Sequence, residues 1–252
     1  MEKILEIKNL HKRYGGITAV KGCDFSVERG TICALIGPNG AGKSTVFNLV
    51  TGYAEPDQGT VVLEGEDITA SEPSKIAEKG LARTFQLIRL FPKMSVLENL
   101  LVAMKHQQDT VFSALRRSRK LAKLEQYNRQ RALELLKFVN LDVKADELAG
   151  NLSYGQQKLL EIARALAQEP EIVLLDEPAA GVNPTMLKKI GGLLLKLRNS
   201  GKTILFIEHN MDFVMNIAEK IVVLDYGDEI AVGTPKEIRN NKRVIDAYLG
   251  AS

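Results

Sequence analysis

Apolar residues recur along this chain with two different periods, and the alternation between them outlines a fold. "TICALIG" (31–37), "EIVLLDE" (171–177) and "KTILFIEH" (202–209) each carry an apolar run rich in Ile, Leu and Val. Such runs predict strands buried on both faces, as in a parallel sheet covered by helices. "ILEIKNL" near the start and "VVLEGEDI" (61–68) alternate instead, and predict half-exposed strands of an antiparallel layer. "IVVLDYGDEIAVG" (221–233) reads as a hairpin turning at Tyr226, Gly227 and Asp228. "TPKEI" then opens a helix, with Thr234 as cap, Pro235 at the first helical position and Glu237 completing a capping box. In "NLSYGQQKLLEIARALA" (151–167) the period lengthens: Leu159, Ile162, Ala163 and Leu166 fall at i, i+3, i+4 and i+7 on one helix face. Residues 87–165 carry mainly helical patterns and no convincing strand. The expected architecture is α/β: residues 1–86 and 166–252 form a core with a mainly parallel sheet and an antiparallel β layer, and residues 87–165 form an inserted helical subdomain.

Composition narrows the functional classes. With 252 residues, 45% hydrophobic and 26% charged, the chain can bury a sizeable core and is not a disordered polymer. A net charge of +3 is modest and does not by itself call for a nucleic-acid surface. Cys23 and Cys33 lack a C-x-x-C spacing and read as small buried residues in a reducing compartment. "MEKILEIKNL" has charges inside its apolar run, so neither a signal peptide nor an anchor is expected. Nor is there an apolar run long enough to cross a bilayer, so any attachment to a membrane is expected to come through partners.

The chemistry begins at "GPNGAGKST" (37–45), which fits G-x-x-x-x-G-K-[ST] between a predicted strand and a predicted helix. Gly37, Gly40 and Gly42 permit the backbone turns that aim successive N–H groups inward as an anion nest, with Pro38, Asn39 and Ala41 completing the loop. Lys43 supplies a point charge to the β- and γ-phosphates of a nucleotide, Ser44 can ligate Mg²⁺, and Thr45 can support the α-phosphate. "IVLLDEP" (172–178) delivers Asp176 and Glu177 at the carboxyl end of a buried strand, where open α/β sheets bind ligands. Asp176 would hold Mg²⁺ through its water shell, and Glu177 would face the water that attacks the γ-phosphate. Ser153, ahead of the amphipathic helix, can be its cap; alternatively that helix start, with Gly155 beside it, can be an anion cradle.

The motifs "GPNGAGKST", "RTFQ", "LSYGQQ", "LLDEP" and "IEHN", in that order, resemble the nucleotide-binding subunit of an ATP-binding cassette (ABC) transporter over essentially all 252 residues. The resemblance implies a P-loop ATPase using ATP and Mg²⁺. Two subunits pair head to tail, so that Ser153, Gly155 and Gln156 of one cradle the γ-phosphate held by Lys43 of the other. It further implies that Tyr14 stacks on adenine with Val20 packing the same base, that Gln86 reaches Mg²⁺ and the attacking water, and that His209 contacts the γ-phosphate. Tyr154 stands where glycine is commoner in such signatures, and Asn183 where aspartate is commoner; the Asn183 amide can still hydrogen-bond across a dimer.

"RTFQLIRLF", "LSYGQQ" and "EPAAGVNP" resemble most closely the branch that serves branched-chain amino acid uptake. That implies a second ATPase subunit, two membrane permeases and an extracytoplasmic solute-binding protein as partners, no nucleic acid, and a peripheral place on the cytoplasmic face of the cell membrane. The rival readings are a P-loop small-molecule kinase, a non-transport ABC ATPase, and an ABC exporter or lipid-transport ATPase. Residues 106–131 cluster Arg116, Arg117, Arg119, Lys120 and Lys123 opposite Leu121, Leu124 and Tyr127, which suits a solvated helix face or attraction to anionic lipid heads.

Overall fold

The computed structural model describes residues 2–104 and 119–249. Two long strands, β1 (Lys3–Tyr14) and β2 (Ile17–Glu28), pair antiparallel and are joined on the β1 side by β4 (Gln58–Leu63) and β5 (Glu66–Asp67) in a four-stranded sheet ordered β2-β1-β4-β5. The second sheet has six strands: β3 (Ile32–Ile36), β6 (Leu81–Arg83), β7 (Ile172–Asp176), β8 (Thr203–Ile207), β9 (Lys220–Asp225) and β10 (Asp228–Gly233). Their order is β10-β9-β3-β8-β7-β6, parallel throughout except for β10, which turns back on β9. The three apolar runs are thus β3, β7 and β8, and every residue of those strands is buried. Short helices α1 (Lys43–Val50) and α2 (Pro73–Glu78) separate the early strands.

β2 has no counterpart in the sequence reading, because its alternation is broken. Val20 is buried and so are Cys23, Phe25 and Val27, positions of opposite parity. The phase changes at Gly22, where φ is 73°, opposite a stretch of β1 in which Asn9 has φ 47° and the register shifts. An extra residue in a ladder re-aims everything beyond it, so a period-2 search over the whole stretch fails.

The chain divides into two compact units. The first comprises Met1–Gln86, Glu171–Ala180 and Pro184–Ser252. Its core joins Ile4, Leu5 and Ile7 of β1, Val46, Phe47 and Val50 of α1, and Leu35, Leu174, Leu205 and Val222 of the larger sheet. Both cysteines are buried there, and burial pushes the Cys33 thiol up to about 12 and that of Cys23 higher still. The second unit comprises Leu87–Pro170 and Gly181–Asn183. It holds α3 (Val96–Leu101), α4 (Arg119–Phe138) and α5 (Tyr154–Leu166). Buried Asn99 pins the segment before α3 by accepting from Phe91 N–H and donating to the carbonyls of Phe91 and Ser95. The first unit continues with α6 (Pro184–Asn199), α7 (Met211–Ile217), α8 (Pro235–Arg239) and α9 (Lys242–Leu249), and Thr234 caps α8 in the expected capping box. Among the described residues, no helix is long and apolar enough to cross a membrane. Arg116 and Arg117 of the basic stretch lie outside the described residues. Among the described side chains of α4, which exclude those of Arg119, Lys120 and Leu121, Ala132, Leu135 and Leu136 are buried, whereas Leu124 is half-buried and Tyr127 is half exposed.

Candidate functional site

Because β3, β6, β7 and β8 run parallel, their carboxyl ends share one edge of the sheet, and the chain leaves that edge at Gly37, Gln86, Glu177 and His209. A cleft of about 390 Å³ opens there in the first unit. Its walls include Asn39 to Thr45, Gln86, Glu177 and His209, so ten residues named from sequence patterns far apart converge on one space.

The loop 37–45 owes its shape to its glycines. Gly37 has φ 152°, and a Cβ there would lie 2.1 Å from the Leu224 carbonyl oxygen; Gly42 has φ 101°, and its Cβ would lie 2.3 Å from that of Ala19. No L side chain fits such positions without moving backbone. Gly42 is the N-cap of α1, and no side chain caps that helix, so its first N–H groups face the cleft as donors on the positive end of the helix dipole. Lys43 lies inside the loop, 6% exposed, donating from Nζ to the carbonyls of Gly37 and Pro38, each at 2.8 Å. Burial lowers its pKa, and the charges of Glu177 and Asp176 oppose that shift. Ser44 is exposed at the head of α1.

Glu177 is the centre of a hydrogen-bonded set. Its Oε1 lies 2.8 Å from His209 Nε2, and its Oε2 accepts from Gln86 Nε2 at 3.2 Å. Its backbone has φ 49°, a left-handed value that costs a non-glycine residue about 1 kcal/mol or more. The Glu177 N–H donates to the Ile207 carbonyl at 3.1 Å, which helps hold that conformation. Asp176, by contrast, is buried behind the cleft, its Oδ2 accepting from Arg83 Nη2 at 3.2 Å and its N–H donating to Thr84 Oγ1.

The two residues expected at an adenine ring differ in their exposure. Val20 is fully buried in the core, and its neighbour Ala19 lines the cleft instead, as the alternation of strand side chains requires; Val20 is therefore corrected from base contact to core residue. Tyr14 ends β1 half exposed, with Lys12 Nζ 5.5 Å from its ring centroid, and pairs across the sheet with Ile17, which lines the cleft.

In the second unit, Ser153 caps α5: its hydroxyl accepts from Gln156 N–H at 3.4 Å, and Gln156 Oε1 accepts from Ser153 N–H at 3.0 Å. Ser153 is exposed, and Gly155 and Gln156 are half-buried. Tyr154 packs its ring on Gly181, where a Cβ would come 3.2 Å from Tyr154 Cε1. The tyrosine that replaces the commoner glycine thus supports the segment holding Asn183, itself exposed.

Sequence reasoning missed three contributors. Glu208, 3% exposed, accepts from the N–H groups of Ala179 at 2.7 Å and His209 at 3.0 Å, tying together the segments that follow β7 and β8. An acid inside the end of an apolar strand was the available signal. Tyr226, 76% exposed at the β9–β10 turn, lines the cleft, and Gly227 N–H donates to the Ala41 carbonyl at 3.1 Å, bracing the loop. Arg83, in "RTFQ", contacts Asp176 as described, and nothing local announces that pairing.

The chain resembles known proteins along nearly its whole length. A family model described as ABC transporter matches residues 20–180, and one described as Branched-chain amino acid ATP-binding cassette transporter matches residues 229–252. The high-affinity branched-chain amino acid transport ATP-binding protein BraF of Pseudomonas aeruginosa is 46% identical over 249 residues, covering 98% of each chain. A crystal structure of an ABC transporter's ATP-binding cassette in its ADP conformation superposes with a TM-score of 0.86 at 35% identity, covering 99% of this chain and 100% of the other. A dimeric cassette in a post-hydrolysis state, bound to ADP and Pi, gives a TM-score of 0.75 at 28% identity over 92% of this chain and 98% of its own. On the strength of the cleft and of matches that run nearly end to end, this chain belongs to the ABC transporter family, as one of its ATP-binding proteins.

Proposed function

We propose that this chain is the ATP-hydrolysing subunit of an importer that carries branched-chain amino acids through partner permeases. The observation that carries the reading is the cleft in which the glycine loop, Lys43, Gln86, Glu177 and His209 converge, in a chain 46% identical to BraF.

The phosphates of ATP would lie over the head of α1, where loop and helix N–H groups donate to them. Lys43 exchanges the carbonyls of Gly37 and Pro38 for β- and γ-phosphate oxygens, and Thr45 supports the α-phosphate. Tyr14 stacks on the adenine at the mouth of the cleft, beside Ile17 and Ala19. Glu177 takes a proton from the attacking water, and His209 and Gln86 hold its two carboxylate oxygens in place while His209 also faces the γ-phosphate.

The donor set suits Mg²⁺. Among the described residues no cluster of three His, Cys, Asp or Glu side chains encloses a metal. Mg²⁺ is ordinarily held by one or two carboxylates, waters and substrate phosphates rather than by an all-protein cage. The Ser44 hydroxyl, the Gln86 amide oxygen and Asp176, through water, would hold it. When bound, Mg²⁺ would supply positive charge that neutralises the nucleotide's phosphates.

Ser153, Gly155 and Gln156 would serve the nucleotide of a second ABC ATPase subunit, identical or homologous, with Asn183 bonding across the dimer. Capping and cradling are compatible, because the cap uses one hydroxyl and the remaining helix-start N–H groups still point outward. Two permeases would hold the pair on the cytoplasmic face of the membrane, and an extracytoplasmic solute-binding protein would deliver the amino acid; no nucleic acid is involved. Purification from native membranes, followed by ATP hydrolysis measured with and without the recovered permeases, tests this. Permeases that stimulate hydrolysis when loaded with a branched-chain amino acid support the reading; hydrolysis indifferent to every co-purifying protein refutes it.

A further inference from the structure

One buried side chain ties together three of the segments that border the site. Arg83, 8% exposed in its side chain, ends β6 three residues before Gln86. Its Nη1 donates to Asn48 Oδ1 at 2.8 Å and to Thr51 Oγ1 at 2.9 Å, both on or just after α1. Its Nη2 donates to Asp176 Oδ2 at 3.2 Å, at the end of β7. Phe47, Tyr53 and Phe85 surround the guanidinium with ring centroids 5.2–5.7 Å away, and Tyr53 and Phe85 meet edge to face at 5.5 Å.

A buried ion pair is weak evidence for stability, because desolvation offsets the attraction, but it does fix direction. A planar fork that reaches Asn48 on α1, Thr51 just after it and Asp176 at the end of β7 ties one oxygen of the Asp176 carboxylate to the helix whose first turn carries Ser44. We propose that Arg83 is a positioning residue that sets the Asp176 carboxylate in register with Ser44, and so determines how much a divalent cation adds to nucleotide binding. The inference rests on the ATP reading above. It assigns Arg83 no contact with substrate; Arg83 acts through Asp176, as outer-shell partners act on metal ligands.

The test is Arg83→Lys, which keeps the charge and loses the fork. The affinity for a fluorescent, slowly hydrolysed ATP analogue is measured with saturating Mg²⁺ and with EDTA, and the ratio of the two gives the metal's contribution. Loss of an outer-shell partner typically costs about 10–100-fold in metal affinity, so the ratio is expected to fall by about tenfold or more while affinity in EDTA stays within about twofold. Asn48→Ala, which removes one leg of the fork from a half-buried helix position, should lower the ratio less and in the same direction, and it decides the matter if Arg83→Lys does not fold. An unchanged ratio overturns the inference. Equal weakening with and without Mg²⁺ also overturns it, since that is the mark of a purely structural residue. Wild-type protein that binds no nucleotide under either condition refutes instead the ATP reading on which the inference stands.

Discussion

Replacing Glu177 with glutamine removes a proton acceptor while leaving almost everything else in place. The carboxylate now accepts from Gln86 Nε2 at 3.2 Å and lies 2.8 Å from His209 Nε2. An amide offers one oxygen acceptor and one NH₂ donor. Its oxygen can take the Gln86 N–H, and its NH₂ can donate to His209 if the imidazole carries its proton on Nδ1. Both contacts survive, and the strained backbone at φ 49° is common to both proteins, so it drops out of the difference. The stability cost should stay within about 1 kcal/mol, the net worth of one ordinary hydrogen bond. Hydrolysis is another matter: general-base catalysis contributes about 10²–10⁴-fold, or about 2.7–5.4 kcal/mol of barrier. Single-turnover hydrolysis with protein in excess, beside an equilibrium ATP titration and a thermal melt, separates the three quantities. Hydrolysis within about threefold of wild type, with binding and melting unchanged, would refute the assignment of Glu177 as the base.

Lys43→Ala removes a buried cation from a loop whose turns are set by glycine, so the fold should persist while MgATP affinity falls about 10–100-fold, the worth of a charge-assisted hydrogen bond; unchanged affinity in a titration counts against the phosphate role. Adding Ser153→Arg to Glu177→Gln tests the helix start. The single variant should dimerise with ATP more than with ADP, whereas the double variant, having lost a cap worth about 1 kcal/mol, should fold and bind ATP yet stay monomeric in light scattering. An ATP-dependent dimer that survives Ser153→Arg sinks the cradle. Burial raises the Glu208 carboxyl above its ordinary value, against the N–H groups of Ala179, His209 and Asn210 that favour the charged form. A folded pKa above the unfolded one means that the folded state binds more protons, so this group's stabilising contribution is full below the unfolded value and is lost as pH rises through the folded one. The melting temperature of Glu208→Gln relative to wild type should therefore climb as pH rises above the usual carboxylate range, and a difference flat with pH contradicts the burial argument.

Much of this protein was legible in its sequence because its determinants are local. The glycine loop forms from the φ values that Gly37, Gly40 and Gly42 permit, and the runs 31–37, 171–177 and 202–209 are apolar at nearly every position because they become the strands β3, β7 and β8, covered on both faces. The caps at Ser153 and Thr234 are contained within four residues each. What lay beyond the sequence was decided by pairing between distant segments. The phase break at Gly22 hid β2, and on that strand it is the cross-strand register that buries Val20 and turns Ala19 to the cleft. Glu208 and Arg83 look like ordinary charged residues until the parallel order β3-β8-β7-β6 brings Ala179 beside one and Asp176 beside the other. A side chain's residue type is fixed by the sequence, but its partner is fixed by which strands lie next to each other, and that is a property of the whole sheet.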